Sequence, residues 1–312
     1  MERRDQPFPR PAMSSQSIGD DLTAAVIGPG AIGLVAISAL HDAGRRPTVA
    51  ARASFDRVVH RFGGRELVHE VDVLTDPRQA NGPADVVFLA TKVHQSDGAA
   101  AWIEALCGPD SVLAALQNGI DQRERLSRYV APEAIAPVVV NLPAEREEPG
   151  VVTSGGRPSL VVPADEAGAR VARALAGSFL PVRQVDDFVT HSWTKLLINS
   201  SLGIIGVLGG APNGVIAEPD AGDLVRALID EAAAVGRAEG ADLPDDIAET
   251  IVKRIVTGAP DHRSSIALDR AAGLPTEWEA RNKVVVDLAD RHGIDVPLNR
   301  AGTTLIRLGE PT

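Results

Sequence analysis

The chain has 312 residues, 44% hydrophobic and 23% charged, with a formal net charge of −11. That length supports two domains with buried cores, and the composition excludes a disordered chain. The acidic balance and the 3% aromatic content disfavour nucleic acid and anionic membranes as general partners.

Residues 1–22 combine Pro, Ser and Arg without an apolar stretch, which predicts a loose tail rather than a secretory signal; Met1 and Met13 both suit as a start. TAAVI (23–27) predicts a strand, residues 31–44 a helix closed by Gly44, and PTVAA (47–51) a second strand. DVVFLA (85–90), SVLAAL (111–116) and AIAPVVV (134–140) are nearly all apolar, as strands covered on both faces are. This βαβ alternation predicts an α/β fold with an N-terminal Rossmann-type doubly wound sheet. Residues 149–162 pair two short β-like runs around SGGRP, predicting an antiparallel addition at the sheet edge, and 181–185 reads as a last strand.

After about residue 190 five segments carry apolar residues at three- and four-residue intervals, separated by Gly and Pro breaks, and predict an all-helical C-terminal domain. The expected division is 23–189 for the nucleotide domain and 190–312 for a helical substrate domain. No run reaches the roughly 18 apolar residues of a membrane span, so a cytoplasmic location is expected. The nearest run, 201–211, suits either domain core or a subunit interface, which leaves a homodimer open. The lone Cys107 permits no intrachain disulfide and reads as a core or helix-end residue; the histidines lack metal-ligand spacing, and no metal is expected.

The sharpest local motif is Gly28-Pro29-Gly30-Ala31-Ile32-Gly33, a G-x-G-x-x-G between a strand and a helix. Gly28 permits the tight turn, Gly30 the approach of a pyrophosphate, Gly33 close helix–strand packing, and Ala31 and Ile32 lead the helix N-terminus that faces the phosphates. At the end of the second strand Arg52 stands where an NAD-specific site carries an acid, and a guanidinium there suits the 2′-phosphate of NADP(H). Lys92 and Asn118 follow the third and fourth apolar strands, where open α/β sheets bind ligands.

In the helical half, Lys195 and Asn199 share one helix face, so the lysine either snorkels to solvent or meets a polar cavity. LPTEWEARN predicts a helix start with Thr276 as N-cap and Glu279 as its capping-box partner. By spacing alone Glu277 is an acid at the positive helix end, an arrangement stabilising by about 0.3–1 kcal/mol.

Taken in order, GPGAIG, ATK..Q, LQNG, W.KLL.N, PNG, SS, D, TE, N and P.N resemble the ketopantoate reductase (2-dehydropantoate 2-reductase) family from about residue 23 to 300. The resemblance implies NADPH-dependent reduction of ketopantoate to pantoate in pantothenate and coenzyme A biosynthesis. It implies Lys195 as general acid, Glu277 as the acid that hydrogen-bonds substrate, and Asn199, Asn213 and Ser265 as substrate-binding residues. It further places Lys92 and Asn118 beside nicotinamide and substrate, and Arg52 on the 2′-phosphate. The chain departs from the family pattern at Gly203 and Ile204, where Asn-Pro is common, at His262, where Asn is common, and at Lys283, where Gly is usual. A changed polar shell keeps open a different carbonyl substrate. A non-catalytic NADP(H) sensor is the remaining alternative, and the retention of Lys195 and Glu277 argues against it.

Overall fold

A computed structural model describes residues 22–258 and 260–311, so the predicted tail lies, apart from Leu22, outside the described residues. The chain begins with β1 (Ala24–Ile27), α1 (Ala31–Asp42) and β2 (Thr48–Ala50). A hairpin of β3 (Arg57–Phe62) and β4 (Arg65–Glu70) follows, then β5 (Val73–Leu74) and β6 (Val86–Leu89). Next come α2 (Ala100–Leu106), β7 (Val112–Ala115), α3 (Gln122–Leu126) and β8 (Ile135–Pro137).

These strands form a six-stranded sheet of order β5-β2-β1-β6-β7-β8, and every pairing in it is parallel. The central strands are buried along their whole length, and alternate residues feed two cores. Ala24, Val26, Val86 and Phe88 pack on the side of α1, whereas Ala25, Ile27, Val87 and Leu89 pack with Trp102, Ile103 and Leu106 of α2. Cys107 caps α2, and burial pushes its thiol up to about 12, which removes it as a nucleophile.

Two of the strand expectations need correction. Residues 134–140 are not one strand: β8 closes the parallel sheet at Pro137, and β9 (Val139–Asn141) turns into another sheet. A proline offers no N–H, which suits β8 to the sheet edge. Residues 149–162 do not extend that edge either. β10 (Ala144–Glu148) and β11 (Val151–Ser154) join the early hairpin in a four-stranded sheet of order β10-β11-β3-β4. β12 (Ser159–Pro163) pairs antiparallel with β9 and, after α4 (Glu166–Ala174), parallel with β13 (Val182–Val185). Short apolar runs announce strands but carry no signal of their partners.

From Phe188 onward the described structure is helical. The α5 helix (Phe188–Gly209), whose N-cap Asp187 accepts the Thr190 N–H, ends at left-handed Gly210. It packs with α6 (Pro219–Ala238), α8 (Ser265–Ala271) and α10 (Pro297–Leu308), and α6 packs in turn on α7 (Ile247–Thr257) and α9 (Val284–His292). Trp193, Leu196 and Leu197 of α5 meet Val225, Ile229, Ile251 and Val285 in their shared core. Ser201, Leu202, Gly203 and Ile204 are buried within this single chain, so the first part of the 201–211 run serves the core, whereas residues 208–210 are exposed. No helix among the described residues is long and apolar enough to cross a membrane.

A histidine cluster lies under α1. His60 of β3 is fully buried, its Nδ1 3.2 Å from Ser38 Oγ and its Nε2 2.8 Å from Ser154 Oγ. His69 Nε2 lies 3.3 Å from the same Ser38 hydroxyl and stacks on His41. Burial first, then the neighbouring His69, lowers His60 and His41 to about 4, with Arg46 also acting on His41. The folded chain therefore binds fewer protons than the unfolded one between pH 6.5 and 4. Stability held above pH 6.5 is lost as the pH falls toward 4, by roughly 3 kcal/mol for His60 alone if the full shift is realised. Urea unfolding is expected to show this acid loss, and His60→Gln should make it shallower; an unchanged slope in the variant would assign it elsewhere.

Candidate active site

The glycine turn is built by close contacts. Gly28 adopts φ +85° and donates its N–H to Ala50 O at 3.0 Å, while Gly30 N–H reaches Gly28 O at 2.8 Å. A Cβ on Gly33 would stand 2.4 Å from Gly28 O and 3.2 Å from Ala90 Cβ, so only glycine lets α1 lie this close to the sheet. A Cβ on Gly30 would meet nothing within 4 Å. That open space adjoins the α1 N-terminus, where no side-chain cap and no acidic first-turn residue competes for the free N–H groups. The cradle fits a pyrophosphate. Arg52 is exposed two residues beyond β2, on the same strand end.

Across the crevice, the strand ends of the parallel sheet meet the helical domain. Glu277 is 5% exposed; its Oε1 accepts the Val93 N–H at 3.1 Å, and its Oε2 accepts Asn118 Nδ2 at 2.8 Å and lies 3.6 Å from Lys92 Nζ. The same Lys92 ammonium pairs with Asp269 of α8 at 2.7 Å. Asn199 of α5 donates from Nδ2 to Asn118 Oδ1 at 3.2 Å. Asn118 is held from behind: Gln117 donates to Ser96 Oγ at 2.9 Å and accepts from Arg125 at 3.1 Å, and Arg125 also donates to Asn118 O at 3.2 Å. Gly119, at φ +101°, lets the backbone of Ala280 approach.

Lys195 sits one turn before Asn199 and lines a cavity of about 20 Å³ with Asn118, Gly119, Val139, Ser192 and Asn199. This space holds about one water. The Lys195 ammonium has no hydrogen bond or ion pair among the described residues. Burial first, then the charges of Arg281 and Arg254, brings it down to about 8.

The structure thus gathers Lys92, Asn118, Lys195, Asn199 and Glu277 around one crevice. Ser265, at the start of α8, joins them through Arg281, whose Nη1 donates to Ser265 Oγ at 2.9 Å. Asn213 stands apart: its backbone N–H bonds His262 O at 2.8 Å, and its side chain makes no hydrogen bond to the cluster among the described residues. The expected capping box is absent. Thr276 instead donates its N–H at 3.0 Å and its hydroxyl at 2.6 Å to Glu310, and residues 279–283 form a π-helical turn ahead of α9. An ion partner from the C-terminal segment outcompetes a local backbone cap.

The π turn carries Arg281 and Asn282, both buried; Asn282 is the asparagine of the family pattern, and neither was expected as a site residue. Their signal was the i+4 step from Glu277 to Arg281; Asp269 stands at the same step from Ser265. Asn282 also explains one departure from the family pattern. Its Nδ2 donates to Ser200 O at 2.9 Å, and a Cβ on Gly203 would stand 3.1 Å from its Oδ1, so glycine at 203 leaves room for this carboxamide. Lys283 is half-buried and pairs with Asp287.

A parallel Rossmann sheet with a glycine cradle, facing a helical domain that presents a lysine and a carboxylate, defines a nicotinamide-dependent reductase. The family model "Ketopantoate reductase PanE/ApbA" matches residues 24–166, and its C-terminal counterpart matches residues 187–310. The chain is 37% identical over 278 residues to a 2-dehydropantoate 2-reductase of Mycobacterium tuberculosis H37Rv, covering 88% of this chain and 93% of that one. A crystal structure of a PanE/ApbA family ketopantoate reductase from Ralstonia eutropha JMP134 superposes with a TM-score of 0.84 at 30% identity, over 93% of this chain and 98% of that chain. A D-mandelate dehydrogenase solved with NADH and anilino(oxo)acetate shares the fold at a TM-score of 0.83 and 20% identity, over 93% and 98% of the two chains. The chain belongs to the ketopantoate reductase family and is an oxidoreductase.

Proposed function

We propose that the protein reduces ketopantoate to pantoate with NADPH, residues 23–189 carrying the cofactor and residues 190–312 the proton donor. The observation that carries this reading is Lys195, a cation without a partner among the described residues, facing the same cavity as Asn118 and Asn199. The absence of an acid after β2, with exposed Arg52 in its place, supports NADP(H) over NAD(H).

When bound, the reduced nicotinamide supplies hydride to the keto carbon. As negative charge grows on the keto oxygen, the Lys195 ammonium stabilises it and donates its proton. A donor near 8 is better matched to neutral pH than an ordinary lysine near 10.4. Glu277, fixed by Val93 N–H, Asn118 and Lys92, accepts the hydrogen bond of the forming hydroxyl. Ser265 donates to the carboxylate. The two domains part to admit substrate and reclose to exclude solvent.

A different 2-oxo acid is the second reading, favoured by Gly203 and His262 in the substrate shell and by the mandelate dehydrogenase fold relative. One assay separates them: nicotinamide oxidation followed at 340 nm with ketopantoate against a panel of 2-oxo acids, using NADPH and NADH in parallel. Turnover is expected to be fastest with ketopantoate and NADPH, and Arg52→Ala should raise KM for NADPH at least about tenfold while leaving KM for NADH unchanged. Faster turnover of another acid would move the substrate assignment. An NADH preference in the wild type would overturn the cofactor assignment.

A further inference from the structure

We propose that Arg281 is the carboxylate anchor of this active site, taking the anionic end of the substrate in its guanidinium fork beside the Ser265 hydroxyl. The proposal rests on the reading of the cleft as a 2-oxo acid site, and it adds a charged anchor to that site.

Arg281 is 3% exposed, yet it uses little of its hydrogen-bonding capacity. A guanidinium has five N–H donors. Here Nη1 donates to Ser265 Oγ at 2.9 Å, Nη2 reaches Asn199 O at 3.3 Å, and the buried Nε has no partner. No carboxylate lies within ion-pair distance of it among the described residues. The two acids whose charges act on it, Glu277 and Asp269, are already engaged by Lys92. A buried cation left in this state is costly, and an apolar side chain on the π turn would cost less. The position makes sense when an anion completes it.

The surroundings say where that anion sits. Arg281 bonds the carbonyl of Asn199, Asn199 and Lys195 one turn earlier on α5 line the same cavity, and the charge of Arg281 acts on Lys195, so the two cations lie in one neighbourhood. Neither has an acidic partner within bridging distance among the described residues. A carbonyl oxygen at Lys195 and an adjacent carboxylate at Arg281 match the two neighbouring polar groups of a 2-oxo acid. Ser265 Oγ accepts from Arg281, which leaves its O–H free to donate to the same carboxylate. A planar fork favours a planar anion, and the site should discriminate sharply against a neutral analogue.

The test compares wild type, Arg281→Leu and Arg281→Lys with ketopantoate and with its neutral lactone. Arg281→Leu should raise KM for the acid about 100-fold while changing kcat by less than about tenfold, with a much smaller change in KM for the lactone. Arg281→Lys should recover part of the loss. The Tm of Arg281→Leu should equal or exceed that of the wild type, because an unpaired buried charge has been removed. A second measurement needs no turnover: oxamate should bind the wild type by calorimetry and fail to bind Arg281→Leu. Should Arg281→Leu not fold, Arg281→Gln carries the same comparisons. Equal effects on acid and lactone, or oxamate binding that survives the variant, would overturn the anchor. Ketopantoate turnover indifferent to Arg281 would sink the anchor and leave the reductase reading intact. Arg281-dependent oxamate binding in a protein inert toward ketopantoate would support the anchor and sink the substrate assignment.

Discussion

Lys195→Ala is expected to lower kcat for ketopantoate reduction by about 10²–10⁴, the usual contribution of a positioned proton donor, with a much smaller change in KM for NADPH. At 1.36 kcal/mol per decade this is roughly 3–5.5 kcal/mol of transition-state stabilisation. The pH profile gives the same residue a second signature. Reduction needs the ammonium, so kcat/KM should stay level below pH 8 and fall tenfold per unit above it, following the lysine held at about 8. Oxidation of the hydroxy acid needs the neutral amine and should rise over the same interval. In Lys195→Ala the limb should disappear from the residual rate. A wild-type rate still level at pH 9.5 would mean that the cleft leaves this lysine near its ordinary value, or that another group delivers the proton.

Gly33→Ala is expected to cost about 1–3 kcal/mol of stability, the range for forcing an atom into filled space, and to weaken NADPH binding at least about tenfold. The new Cβ would begin 2.4 Å from the Gly28 carbonyl oxygen, so α1 must move off the sheet or the turn must open. Gly30→Ala separates packing from ligand contact. Gly30 already has φ −74°, and its Cβ would enter free space, so the variant should unfold at the wild-type temperature and still lose NADPH affinity. Fluorescence titration with NADPH and thermal melts of the two variants check both claims. Wild-type affinity in Gly30→Ala would remove the pyrophosphate from the cradle.

Much of this architecture is legible in the chain because local rules suffice for it. Strands buried on both faces need continuous apolar runs, and 23–27, 85–90 and 111–116 became β1, β6 and β7 within a residue at each end. The residue order G-x-G-x-x-G likewise states its own geometry, since a turn at φ +85° and a 2.4 Å approach each demand glycine. Partner choice is not local. Nothing in AIAPVVV announces that Pro137 ends one sheet and Val139 starts another, and the β3–β4 hairpin and α8 went unread because neither had a distinctive pattern. Thr276 shows the same limit: a favourable cap motif lost to Glu310, which lies 34 residues away.

By itself, then, the sequence determined an α/β chain with a dinucleotide turn, a helical second half and a lysine on an apolar helix, all consequences of periodicity and backbone sterics. Only the tertiary structure brought Lys195 and Glu277 to one crevice and gave each its surroundings. A carboxylate at a helix start is worth little until Lys92, Val93 and Asn118 surround it, and a lysine is an ordinary base until burial and Arg281 lower its pKa. Arg281 belongs wholly to this second category. Charge, burial and missing partners are relations between groups far apart in the chain, and folding alone brings those groups together.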